Sequence, residues 1–182
     1  MLQKIDLKMF LFIVNIFGIM PLFPQLIMMA GYPCSGKSTF SIALESKYNI
    51  IRVDQDENPQ KGECENLVIN GLNKNHCVVL DRCHITKKDR KYWLDIANRK
   101  KTWCIFFNIS LDECRYRMSK RENHPSIKEN ETGLSILKSV EGILEEPTLD
   151  EGFEKIIKLN SVDEINDLFK LYDLDIPKKI DY

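Results

Sequence analysis

The chain alternates short, almost wholly apolar runs with longer stretches in which apolar residues recur every three or four positions. "QLIMMA" (25–30), "NIIRVD" (49–54), "NHCVVLD" (75–81), "TWCIFFNI" (102–109) and "EKIIKLN" (154–160) have strand length and are rich in Ile, Val, Leu and Phe. Such runs fit strands of a parallel sheet covered on both faces. Between them the helical period predicts helices over about 38–47, 61–73, 86–100, 111–121, 132–146 and 162–172. Two helix starts carry a capping box, Ser110 with Glu113 and Ser161 with Glu164, in which hydroxyl and carboxylate each satisfy an orphan backbone donor. With no internal repeat, this alternation predicts an α/β domain built on a parallel sheet flanked by helices.

The first strand runs into "GYPCSGKSTF" (31–40), where Gly31, Gly36, Lys37 and Ser38 fit the spacing of a phosphate-binding loop between strand and helix. Its glycines let the backbone curl so that successive N–H groups and the helix N-terminus face phosphate oxygens. Gly31, Cys34, Ser35, Gly36, Lys37, Ser38 and Thr39 are therefore the expected nucleotide contacts. Lys37 is expected to reach the β and γ phosphates, and Ser38 to ligate Mg²⁺. The fold expectation sharpens to a P-loop NTPase-type sheet with a helical lid.

The loop specifies a phosphate donor and leaves the acceptor open. Hydrolysis requires a water-positioning residue and usually a larger chain, and neither is evident. A kinase requires a base for the acceptor hydroxyl, an acidic group near the metal and cations over the transferring phosphate. Asp54 and Asp56 stand at the carboxyl end of the second strand, the edge at which open α/β sheets bind ligands. Asp81 ends the third strand in a position suited to the Mg²⁺ water shell. "DECRYRMSKRE" sets Arg117 and Arg121 four apart on one helix face, a geometry suited to a lid that lays guanidinium groups on phosphate. Lys87, Lys88, Arg90 and Lys91 could track acceptor phosphates, although a solvated helix face would look the same. Tyr92 and Trp93 beside them are expected in the core.

Composition narrows these options only slightly. At 182 residues the chain has room for one well-buried domain. The expected division is an apolar N-terminal extension (1–24), a kinase-type domain (25–175) and a short tail (176–182). With 26 basic and 27 acidic side chains, the total charge suggests no long nucleic-acid footprint. The middle is nevertheless basic, with 12 Lys and Arg against 5 Asp and Glu over 81–121. The six cysteines form no C-x-x-C pair, which argues against zinc and a disulfide framework and for a reducing cytoplasm or nucleus. Residues 9–30 carry no charge, but Pro21 and Pro24 interrupt them and 25–30 form the first strand. What remains, about 9–23, is short for a bilayer span. An extra segment packed on the domain, an interfacial membrane anchor and an upstream start are its open explanations, in that order.

"GYPCSGKSTF", "VDQD", "VVLDRCHITKKDRKYW", "LDECRYRMSKRENHP" and "EEPTLDEGFEKII" together resemble the kinase module of 5'-hydroxyl polynucleotide kinases. The likeness extends to kinase modules attached to some RNA ligases and aprataxin-like proteins, and covers roughly 25–160. It implies transfer of the γ phosphate of ATP or GTP to the 5'-hydroxyl of a DNA or RNA end, in nucleic-acid repair or RNA processing. Phosphatase or ligase chemistry would come from a partner protein. It further implies that Asp56 is the general base and that Lys37 and Arg121 stabilise the transferring phosphoryl. Ser38 and Asp81 would serve the metal, Arg117 would hold donor phosphates, and Asp54, Asp81, Arg82 and His84 would meet the acceptor. Asp54 stands where many relatives have Asn, Gln55 where Arg is frequent and His84 where Asn is common, so Asp54 is the alternative base. A kinase of a small metabolite and a nucleotide-dependent binding module without transfer activity are the competing functions.

Overall fold

Five parallel strands, β1 (Leu26–Gly31), β2 (Ile50–Asp54), β3 (Cys77–Asp81), β4 (Thr102–Phe107) and β5 (Lys155–Leu159), form one sheet in the order β2-β3-β1-β4-β5. This computed structural model describes residues 23–60, 62–98, 100–120 and 130–176. The helices are α1 (Lys37–Lys47), α2 (Glu63–Asn73), α3 (Lys87–Ala97), α4 (Leu111–Lys120), α5 (Asn130–Ser139) and α6 (Val162–Leu171), with a 3₁₀ turn at Leu149–Glu151. The chain winds outward from β1 to β2, returns through β3 and crosses to β4 on the far side of β1. A crevice therefore opens at the carboxyl ends of β1 and β3, where the winding reverses.

Strand β1 is buried along its whole length, so alternate residues feed two cores. Ile27 and Met29 join Phe40, Phe107 and Phe169 on one face, and Leu26, Met28 and Ala30 join Val53, Val68 and Trp93 on the other. Each fully buried side chain of this size contributes about 1.5–3 kcal/mol. Phe40 meets the Phe169 ring edge-on at 5.4 Å, which fixes α1 and the loop before it against α6. Phe23 stacks on Tyr172 at 5.3 Å, whereas residues 1–22 of the expected extension lie outside the described residues. Among the described residues no helix is long and apolar enough to cross a membrane.

The strands and most helices fall within about two residues of their expected bounds. Helix α5 does not, because it ends at Ser139 instead of continuing to 146. Gly142 takes φ +75° three residues later, a left-handed conformation that breaks the helical path. Beyond it, tertiary hydrogen bonds capture the chain. Glu145 N–H bonds the Ile85 carbonyl at 2.9 Å, and Glu145 Oε2 accepts the Lys87 N–H at 2.6 Å. The two expected capping boxes are each half formed. Ser110 Oγ and Ser161 Oγ accept the N–H groups of Glu113 and Glu164, both at 3.2 Å. The Glu113 carboxylate instead takes Arg117, and Glu164 takes the N–H of Asn160, one residue before the cap. A complete box forms at Thr86–Asp89, and the Glu151 carboxylate accepts the Thr148 N–H at 2.9 Å.

Two expectations on α3 are corrected. Tyr92 is 51% exposed, with its hydroxyl donating to Glu65 at 2.8 Å, so only Trp93 of the aromatic pair is core. Arg90 is fully buried and is unavailable to a ligand. Its Nε and Nη2 grip the Glu151 carboxylate at 2.7 and 2.9 Å, and its Nη1 donates to the carbonyls of His84 and Glu145. The "EPTLDEGF" segment is thereby clamped to the loop that follows β3. Glu151→Ala leaves a buried guanidinium without its carboxylate and should cost about 3–5 kcal/mol in urea denaturation. Glu146→Ala, which removes an exposed pair with Lys158, should cost under about 1 kcal/mol. Equal losses in the two variants would refute the clamp.

Candidate active site

The phosphate loop owes its shape to two left-handed residues, Cys34 at φ +62° and Gly36 at φ +108°. They curl the backbone into a concavity whose N–H groups, with the N-terminus of α1, suit an anion. At Gly31, φ is +135°, and a Cβ would lie 2.5 Å from the Phe107 carbonyl oxygen, so glycine alone fits where the loop leaves β1. Ser35 is buried and Thr39 lies in the first turn of α1. Lys37 Nζ donates to the Tyr32 carbonyl at 2.5 Å and to Ser35 Oγ at 3.2 Å, which places its charge inside the loop. Arg117 Nη1 approaches the carbonyls of Cys34 and Ser35 at 3.4 and 3.3 Å while its Nε pairs with Glu113. Helix α4 thus lies against the loop as a lid would. Arg121 lies outside the described residues.

Ser38 Oγ donates to Asp81 Oδ1 at 3.1 Å, and Ser41 Oγ donates to Asp81 Oδ2 at 2.7 Å. Hydroxyl and carboxylate side by side at the mouth of the loop are hard oxygen donors of the kind Mg²⁺ prefers. That ion takes few protein ligands and fills its shell with phosphate oxygens and water. No group of three or more His, Cys, Asp or Glu among the described residues could hold a metal by itself, and such a site does not require one. The residues therefore fit Mg²⁺ brought with a nucleotide.

Arg52, absent from the sequence expectations, lies behind these groups. Its side chain is 2% exposed and contacts Asp81, Asp54 and Glu57. Burial opposes its charge, but Asp81, Glu57 and Asp54 together raise its pKa, so the guanidinium stays protonated. Burial raises the pKa of Asp54, against the Asp56 N–H, which donates to Asp54 Oδ1 at 2.9 Å. The other Asp54 oxygen is held by Arg52. With both oxygens engaged, Asp54 is poorly placed to act as a base, whereas Asp56 is exposed in the following turn. The signal for Arg52 was available in "IIRVD", where a cation interrupts an otherwise apolar run two residues before an aspartate.

One cavity of about 930 Å³ gathers Cys34, Lys37, Ser38, Asp54, Asp56, Asp81, Arg82 and His84. It is lined also by Lys88, Tyr92 and Trp93, over whose ring the Arg82 guanidinium lies at 5.5 Å. Of the expected basic tract, Lys88 lines this space and Lys91 pairs with Asp95 at 3.0 Å outside it. His84 adopts φ +42° and is buried, and its Nδ1 donates to the Met29 carbonyl at 2.5 Å. Its Nε2 is a buried polar atom without a hydrogen-bond partner.

A sheet of this order, with a glycine loop entering a helix and a serine bonded to the aspartate ending the neighbouring strand, defines a P-loop nucleotide-binding domain of the kinase type. A family model described as an AAA domain (AAA_33) matches residues 26–143. The chain belongs to that family of P-loop kinase domains and is a kinase-type phosphotransferase. Over 135 residues, 72% of its length, it is 30% identical to the bifunctional polynucleotide phosphatase/kinase of Schizosaccharomyces pombe. It spans about a third (32%) of that relative. Among solved structures it is similar in fold to a fungal RNA kinase, with TM-score 0.63 and 19% identity over 86% of this chain and 92% of that one. Kti12 of Chaetomium thermophilum, solved with ADP-AlF3, follows at TM-score 0.55 and 15% identity, covering 84% of this chain and 99% of that one.

Burial pushes the pKa of His84 down to about 4, against the Met29 bond that favours its charge. An unfolded histidine binds its proton near pH 6.5, so the folded state is fully favoured above that value. The advantage is lost as pH falls toward 4, an effect on the order of 3 kcal/mol. His84→Asn keeps a residue that tolerates positive φ. It should flatten the decline in urea midpoint between pH 6.5 and 4, and parallel declines in both proteins would contradict this.

Proposed function

We propose that this domain transfers the γ phosphate of ATP or GTP to the 5'-hydroxyl of a DNA or RNA end. The observation that carries the reading is that one continuous cavity is lined both by Lys37 and Ser38 of the phosphate loop and by Asp56, Arg82 and Lys88. A donor triphosphate held by the loop would leave Arg82 and Lys88 to meet the phosphates of an acceptor. The likeness to the S. pombe phosphatase/kinase and to a fungal RNA kinase supports a polynucleotide acceptor over a small metabolite.

In this reading Asp56 accepts the proton of the acceptor hydroxyl as its oxygen forms a bond to the γ phosphorus and the bond to the β-phosphate oxygen breaks. Lys37 exchanges the Tyr32 carbonyl for phosphate oxygens and balances the charge that moves onto them. Ser38 and Asp81 would hold Mg²⁺, which would supply neutralisation of phosphate charge when bound. Arg117 steadies the loop, and Arg121, four residues further along the sequence, is assigned to the transferring group. Neutral His84, with Nδ1 as donor, presents Nε2 only as an acceptor. Phosphatase or ligase chemistry on the same ends would come from outside this domain.

The test is γ-labelled ATP or GTP with matched DNA and RNA oligonucleotides bearing a 5'-hydroxyl, alongside sugars and nucleosides. Label is expected on an oligonucleotide, and transfer confined to a small acceptor would overturn the proposal. Asp56→Asn should lower kcat by about 10²–10⁴-fold with nucleotide affinity nearly unchanged. Substantial activity in that variant would remove Asp56 from the base role.

A further inference from the structure

We infer that Arg52 is a positioning residue that sets the geometry between the donor-side carboxylate Asp81 and the turn carrying Asp56. The assignment of those two ends rests on the function proposed above. The contacts themselves do not. Strand register pairs Asp54 directly with Asp81 across β2 and β3, which would place two carboxylates face to face in a buried sheet edge. Arg52, two residues earlier on the same face of β2, lies between them. Its Nε donates to Asp81 Oδ2 at 2.9 Å and to Ser41 Oγ at 3.1 Å, and its Nη2 bridges Asp81 Oδ2, at 2.8 Å, and Asp54 Oδ2. Its Nη1 holds Glu57 Oε1 at 2.7 Å.

Every nitrogen of the planar fork is thus committed, and together they reach α1, the ends of β2 and β3, and the turn that follows β2. Arg52 grips the 54–58 turn at both Asp54 and Glu57. The other oxygen of Asp54 accepts the Asp56 N–H, so the guanidinium stands one hydrogen-bonded link from the Asp56 backbone. On its other side it occupies Asp81 Oδ2 and leaves Oδ1 to Ser38. An apolar side chain on β2 would bury as well at lower electrostatic cost. The charge has a role only because three carboxylates must be held in fixed directions. Lysine, a single ammonium on a flexible stem, keeps the charge and loses the fork.

Arg52→Lys and Glu57→Gln in the full chain test this by thermal melting, nucleotide affinity, oligonucleotide kinetics and amide hydrogen exchange across 54–58. Arg52→Lys should remain folded and bind nucleotide within about threefold of wild type. Exchange in the turn should accelerate at least about tenfold. Its kcat should fall on the order of 10²-fold, with acceptor KM moving much less. Glu57, 60% exposed, can be changed with little risk to the core, and Glu57→Gln should show the same changes in weaker form. Should Arg52→Lys fail to fold, Glu57→Gln decides by its exchange and kcat. Unchanged turn exchange, or a kcat loss that merely tracks the folded fraction, would overturn the inference. If wild type transfers to no oligonucleotide, the functional proposal fails, and the exchange measurement still judges Arg52.

Discussion

The Asp81 carboxylate is the point on which the other parts of the site depend. It receives hydrogen bonds from Ser38 and Ser41 on α1 and from Arg52 on β2, so one side chain ties a helix and a neighbouring strand to the end of β3. Two of those partners have a second duty. Ser38 opens the helix whose N-terminus faces the phosphate site, and Arg52 carries the turn of Asp56. A shift of Asp81 would therefore be felt in the donor and acceptor halves together. Hydrogen bonds of this kind, with one partner charged, gain strength from the low dielectric around them and become costly if left incomplete.

The acceptor half is supported from behind by a different device. Arg90 and Glu151 form a forked, solvent-excluded pair, and Glu145 is pinned by its N–H to the Ile85 carbonyl and by its carboxylate to the Lys87 N–H. These contacts hold the loop of Arg82 and His84 without contributing a side chain to the cavity floor. The "EPTLDEGF" stretch thus serves the site at one remove. It shapes a wall and leaves the chemistry to residues at the strand ends.

Most of the fold was legible in the sequence because β1, β3 and β4 are almost wholly buried and read as apolar runs. The phosphate loop was legible because its steric demands admit few residues, as Gly31 against Phe107 illustrates. What escaped was set by contacts between distant segments. Arg90 read as a ligand-facing or solvated cation and Arg52 drew no reading, because periodicity cannot reveal a carboxylate that arrives from 61 or 29 residues away. Tyr92 read as core because its helical spacing is inward-compatible, yet Trp93 fills that space and the phenol turns out to Glu65. Helix α5 was drawn too long because hydrogen bonds to Ile85 and Lys87 outweigh local propensity at Glu145. The orphan Nε2 of His84 has no signature in the sequence at all.

All five strands point the same way, so the two rims of the sheet are chemically unequal. The carboxyl rim carries the loop, the aspartates and the cations. The opposite rim, about 17 Å away along a five-residue strand, carries turns such as those at Asn75 and Asn98, both solvent-exposed and left-handed. Asparagine tolerates that conformation, and neither residue lines the cavity. These turns are natural places for an inserted tag or a circular permutation, since the new chain would emerge on the side of the molecule remote from the phosphate.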